Sequence, residues 1–158
     1  MRLGIDPGIG GALALLSRDY ELLAVIDMPV MAGTGKRQQV NAAELSKIID
    51  SWQRESEGDQ LIAFIEQVSA RPGQGVSSMF SFGDSFGTVR GVLAAKGIPL
   101  LLVTPQAWKK RAGLIGVEKD KARTVAQQMF PSADLARKKD VGRADALLIA
   151  RYGSKNDV

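Results

Sequence analysis

The sequence predicts an α/β domain, a mixed five-stranded sheet flanked by helices. Three observations carry that expectation. Short apolar runs joined by tight turns open the chain; later apolar runs alternate with segments of helical periodicity; and 158 residues suffice for one domain, 1–158, with a sizeable core.

The opening runs are Arg2 to Asp6, Gly11 to Ser17 and Glu21 to Met28, with turn signals "DPG" and "SRDY" between them. Connections that short imply an antiparallel meander. "MAGTGKRQQV", Met31 to Val40, is polar and glycine-containing and reads as a loop. Asn41, with Glu44 three residues on, opens a helix in which Leu45, Ile48, Ile49 and Trp52 fall on one face. Leu61 to Val68 is a continuous apolar run, as in a strand covered on both sides. A long helix is expected from about Val76 to Lys96, with Gly83, Gly87 and Gly91 spaced by four. Small residues at that spacing admit another backbone, whether sheet, partner subunit or DNA. Ile98 to Val103 reads as the fifth strand. Thr104 then caps a short helix with Pro105 at its first position, and "EKDKARTVAQQMF" and "VGRADALLIARY" are the last two helices. This order of elements matches the ribonuclease H-like fold.

Composition narrows the chemistry. The chain has no cysteine and no histidine, so disulfides, thiolate metal sites and imidazole catalysis are excluded. Oxygen ligands remain, and these favour hard cations such as Mg²⁺ or Mn²⁺. A hydrophobic content of 45% with 24% charged residues is that of a globular protein, and no apolar stretch reaches the length of a membrane span. Arg2 to Asp6 already reads as structure, which predicts a cytoplasmic protein without a signal peptide. Residues 1–70 carry 6 Lys/Arg against 10 Asp/Glu, whereas residues 71–158 carry 15 against 7. The basic second half suits a polyanion, with nucleic acid first among partners.

Asp6 and Glu66 each close an apolar strand. If those strands are adjacent and parallel, both carboxylates emerge at one sheet edge. Asp145 lies inside the last helix with Leu148, Ile149 and Tyr152 at i+3, i+4 and i+7, so it shares the apolar stripe. A buried carboxylate needs a compensating cation or hydrogen bond. One site joining all three would hold divalent cations about 4 Å apart for two-metal phosphodiester hydrolysis. Asp140 is the candidate fourth ligand; five residues earlier, it sits roughly 140° around an ideal helix and would have to reach the site from the preceding turn. Each acid also has an ordinary structural role open to it: turn former at Asp6, charged strand end at Glu66, N-cap at Asp140. Asp145, in mid-helix, has no capping role.

"GIDPG" at Gly4 to Gly8, "AFIEQV" at Ala63 to Val68, "GDSFGTVRGVL", "VTPQAWKK" and "GRADALLIARYG" at Gly142 to Gly153 together resemble the RuvC family of Holliday junction resolvases. "MFP" at Met129 to Pro131 adds a likeness to phage or prophage members and to plant chloroplast junction resolvases. The resemblance spans nearly the whole chain. It implies a homodimeric crossover junction endonuclease that cuts four-way DNA symmetrically with two Mg²⁺ per active site, Mn²⁺ substituting. Asp6, Glu66 and Asp145 match the family's acidic ligands, whereas its fourth ligand falls on Gly142. The family's lysine near the scissile phosphate matches Lys119 best and Lys121 second, where an ammonium would stabilise developing charge.

Phe80, Phe82 and Phe86 are candidates for stacking on unpaired bases, with core packing as the alternative for each. Arg71, Lys109, Lys110, Arg111, Lys138, Lys139 and Arg143 are the candidate phosphate contacts. The competing functional readings are a ribonuclease H-like nuclease acting on other branched DNA or on RNA, and a non-catalytic nucleic-acid-binding module of the same fold. The phosphate loop of actin-like kinases also resembles "GIDPGIGG", but such enzymes need a second lobe that 158 residues do not accommodate.

Overall fold

The computed structural model describes residues 1–154 except 34, 36, 57 and 71, and at Lys119 the main chain. Strands β1 (Arg2–Asp6), β2 (Ala12–Leu16) and β3 (Leu22–Asp27) form the expected meander. Next come β4 (Val30–Ala32), β5 (Gln38–Val40), α1 (Ala42–Glu55), β6 (Ile62–Glu66), α2 (Val76–Ala95), β7 (Leu100–Val103) and α3 (Pro105–Arg111). Helix α4 (Lys119–Met129), a 3₁₀ turn at Lys138–Asp140 and α5 (Val141–Tyr152) complete the chain. The five-stranded sheet has the order β3-β2-β1-β6-β7, with β1, β6 and β7 parallel.

One expectation is corrected. The stretch 31–40 was expected as a loop, but Val30 pairs with Val40 and Ala32 with Gln38, making β4 and β5 a small antiparallel hairpin. Strands of three residues are too short to show the alternation that marks a strand in sequence, and this hairpin stands outside the main sheet.

Alternation along β1 and β2 sorts side chains to two cores. Leu3, Ile5, Leu13 and Leu15 meet α1 and α2 through Leu45, Ile49, Val89 and Leu93. Ala12, Ala14 and Leu16 face the other way, toward α5, with Phe64 and Trp108. That second face is built from small residues. A Cβ at Gly4 would run into the main chain of α5 at Ala146 and Ala150, so only glycine lets the helix lie directly on β1.

Caps behave as the sequence indicates. Asn41 Oδ1 accepts from the Glu44 N–H at 3.1 Å, and Thr104 Oγ1 accepts from the Ala107 N–H at 3.2 Å. On α2, Ser85, Val89 and Leu93 are buried, whereas a Cβ at Gly83, Gly87 or Gly91 would touch nothing within 4 Å. The glycine face therefore does not serve contact with the sheet. No helix among the described residues is long and apolar enough to cross a membrane.

Candidate active site

Strands β1 and β6 run parallel in register, with Ile5 opposite Ile65, and Asp6 and Glu66 are the next residue of each. The two carboxylates therefore leave the sheet at the same edge. Helix α5 crosses the same two central strands and brings Asp145 to that edge. Asp6, Glu66 and Asp145, all half-buried, line one cleft of about 380 Å³ together with Gly8, Ile9, Gly10, Gly11, Phe82, Pro105 and Lys109. The donor set is purely carboxylate and so suits a hard divalent cation. Among the described residues, no three acidic side chains are already drawn together tightly enough to hold a metal ion.

Two neighbours of the carboxylates carried no such role in the sequence reading. Trp108, fully buried in the α5-side core, donates its indole N–H to Glu66 Oε1 at 2.9 Å. Its signal was available: a buried tryptophan needs an acceptor for its N–H, and α3 follows directly on the strand beside β6. Lys109 was expected only as a phosphate contact. It lies in the cleft, with its ammonium 5.2 Å from the centroid of the Trp108 ring.

The structure does not bring Asp140 into the cleft. Asp140 is buried, and its carboxylate accepts from the Arg137 main-chain N–H at 2.7 Å, from Arg137 Nε at 2.9 Å and from Arg137 Nη2 at 2.7 Å. Arg137's hydrogen bond holds the Asp140 carboxyl below its ordinary value. The expectation of a fourth metal ligand at Asp140 is corrected accordingly: its oxygens are spent on capping the turn that leads into α5.

Position 142 cannot supply that ligand either. A Cβ on Gly142 would meet Gly10 O at 2.5 Å and Gly11 Cα at 3.0 Å. The start of α5 lies directly on the β1–β2 turn, where Gly11 N–H donates to Gly8 O at 2.9 Å. Glycine at 142 is required by main-chain contact.

Arg143 was expected on phosphate, but its Nε donates to Asp27 Oδ1 at 2.6 Å and its Nη1 to Asp134 Oδ2 at 3.2 Å. Arg111 Nη1 donates to Tyr152 O at 3.0 Å, at the far end of α5. Both guanidiniums are thus engaged within the chain. Lys110, Lys121, Lys138 and Lys139 are exposed. Arg71 and the side chain of Lys119 lie outside the described residues.

The aromatics separate by position. Phe86 packs against the α1–α2 core, Phe82 borders the cleft, and Phe80 is 73% exposed further along α2. Ile9 and Phe82 also border a second groove, about 600 Å³, which runs past Ser77, Ser78 and Ser81 to Arg37 and Gln38 of the hairpin. A surface channel thus leads from the carboxylates along α2.

No protein-family model matches the chain. Thermus thermophilus RuvC, solved in complex with a Holliday junction substrate, superposes with a TM-score of 0.63 at 17% identity, covering 94% of this chain and 88% of that one. A second T. thermophilus RuvC structure gives 0.58 at 18% identity, covering 94% and 89%. The fold is that of RuvC. The ribonuclease H-like architecture expected from the order of elements is thereby borne out. A curated protein, the chloroplastic Holliday junction resolvase MOC1 of Chlamydomonas reinhardtii, is 34% identical over 95 residues, 58% of this chain. The chain spans about a tenth of that relative's length, 11%. Within the RuvC fold, the cleft sits where strand ends and a crossing helix converge.

Proposed function

We propose that this chain is a divalent-cation-dependent endonuclease that resolves four-way DNA junctions. The observation that carries the reading is the convergence of Asp6, Glu66 and Asp145 on one cleft of a RuvC fold. The sequence match to a Holliday junction resolvase supports the choice of substrate.

Asp6, Glu66 and Asp145 are the residues to hold the metal, two Mg²⁺ or Mn²⁺ per site in this reading. Bound there, the metal supplies Lewis-acid activation of water and neutralises charge on the leaving oxygen. The chain's own residues do the rest. Lys109 lines the same cleft as the carboxylates, from which its ammonium stabilises negative charge developing on the phosphate. In the overall step water adds to phosphorus and one P–O ester bond breaks; one water proton ends on the departing oxygen, which leaves as a hydroxyl, and the other is lost to solvent from the phosphomonoester formed.

Exposed Lys110, Lys121, Lys138 and Lys139 supply phosphate contacts, which makes affinity strongly salt-dependent. Phe82, which borders both the cleft and the groove beside it, offers a face for unpaired bases along the channel. Symmetric cutting of a junction needs two such sites. The open glycine face of α2, beside exposed Val76 and Phe80, is the surface proposed to pair two copies.

The test compares cleavage of a four-way junction, a flap, a duplex and structured RNA in Mg²⁺. Paired nicks confined to the junction are expected. Preferential cutting of RNA or flaps moves the assignment to another ribonuclease H-like nuclease, and tight junction binding with no nicking makes the chain a binding module.

A further inference from the structure

Glu66 is held from behind by the indole N–H of Trp108. The donating residue is deeply embedded. Trp108 is completely buried, its ring is packed with Phe64, Val103 and the α5 residues, and its backbone lies in a helix fixed by the Thr104 cap and Pro105. A donor so embedded, 2.9 Å from Oε1, restricts the χ angles of the acid it holds. It also biases that carboxylate against bidentate use, because the indole N–H takes up one lone pair of Oε1 and leaves Oε2 the unencumbered oxygen.

We infer that Trp108 is a positioning residue that presents Glu66 to the cation through a single oxygen, Oε2, and thereby tunes the site toward small octahedral cations. This rests on the metal-site reading proposed above. Mg²⁺ and Mn²⁺ accept one oxygen from each carboxylate in a near-ideal octahedron, whereas Ca²⁺ takes six to eight oxygens and uses carboxylates in bidentate fashion. A Glu66 released from Trp108 would gain rotamer freedom, costing affinity for the small ions, and would gain a second ligating oxygen, favouring the large one. Outer donors to metal ligands commonly account for 10- to 100-fold in affinity.

The experiment deletes the N–H while keeping the ring. In the full chain, Trp108→3-benzothienylalanine puts sulfur in place of the indole nitrogen at nearly constant volume, so the core is not emptied. Trp108→Phe serves as the genetically simple companion. Mn²⁺ binding is titrated without DNA by electron paramagnetic resonance, then repeated with Ca²⁺ as competitor. The isostere is expected to weaken Mn²⁺ about 10-fold and to make Ca²⁺ a better competitor. In a Glu66→Ala background, removing the N–H should change neither quantity.

Unchanged Mn²⁺ affinity and Ca²⁺ competition in the isostere overturn the inference. So does an equal loss in the Glu66→Ala background, which would mean that Trp108 acts through packing alone, and so does the absence of Glu66-dependent Mn²⁺ binding in the unaltered chain. The functional reading fails separately: if the unaltered chain binds Mn²⁺ through Glu66 yet cuts no branched DNA, the role of Trp108 stands and the nuclease assignment falls.

Discussion

Arg143 Nε donates to Asp27 Oδ1 at 2.6 Å, which ties the first turn of α5 to the last residue of β3. Arg137, bonded to Asp140 in the turn before α5, also lies 3.8 Å from Asp27. These contacts clasp the start of the helix that carries Asp145 to the edge of the sheet that carries Asp6.

The clasp predicts acid sensitivity. Arg143's hydrogen bond lowers the Asp27 carboxyl and Arg137's lowers Asp140, both from an ordinary 3.8. Groups depressed on folding contribute stability that is complete above the unfolded value and disappears as pH falls through the folded one. Stability should therefore hold from neutral pH to about 5 and decline below about 4. Asp140→Ala is expected to cost about 1–3 kcal/mol at pH 7, since the hydrogen bonds that Arg137 donates to one buried carboxylate are lost. Its stability should also vary less between pH 5 and 3. Urea unfolding across pH measures both effects.

Asp6→Asn and Asp145→Asn should each reduce junction nicking by at least about 100-fold, while junction binding in EDTA stays within about twofold, because the exposed lysines are untouched. Single-turnover cleavage beside gel-shift titration separates the two quantities. Nicking at the normal rate by either variant would remove that carboxylate from the site.

Gly142→Ala pushes a methyl group into the main chain at Gly10 and Gly11. Neither backbone is free to yield, so a loss of about 1–3 kcal/mol is expected. Gly142→Asp should be no better, and should not tighten metal binding. Thermal unfolding with and without Mn²⁺ tests the pair of variants.

Lys109 and Lys110 are adjacent in sequence but should behave differently. Lys109→Ala is expected to lower the cleavage rate about 10- to 100-fold at saturating enzyme, as for a lost charge-stabilising donor. Lys110→Ala should leave the rate alone, weaken binding modestly and reduce the slope of log affinity against log salt by about 1. Binding isotherms at four salt concentrations, with saturated cleavage rates, decide it.

The sequence by itself determined the sheet and its three acids. Apolar runs ending in Asp6 and Glu66 and a helical stripe interrupted by Asp145 are local patterns, readable because burial imposes a period of two on strands and 3.6 on helices. Asn41 and Thr104 were equally legible, since a cap is satisfied within three residues of itself. The β4–β5 hairpin was not, because strands of three residues are too short to display a period.

Only tertiary structure decided which charges are available. Arg143 and Lys110 look alike in a list of basic residues, but Arg143 is occupied by Asp27 from β3 and by Asp134. Asp140 and Asp145 were both candidate metal ligands in sequence, but Arg137 claims one and the cleft takes the other. Trp108, 42 residues from Glu66 in sequence, became its neighbour only when β6 and β7 paired. The physical reason is the same in each case. Burial follows from the residue's own chemistry and repeats along the chain, whereas the partner of a charge or an indole N–H depends on which distant segment the fold sets beside it.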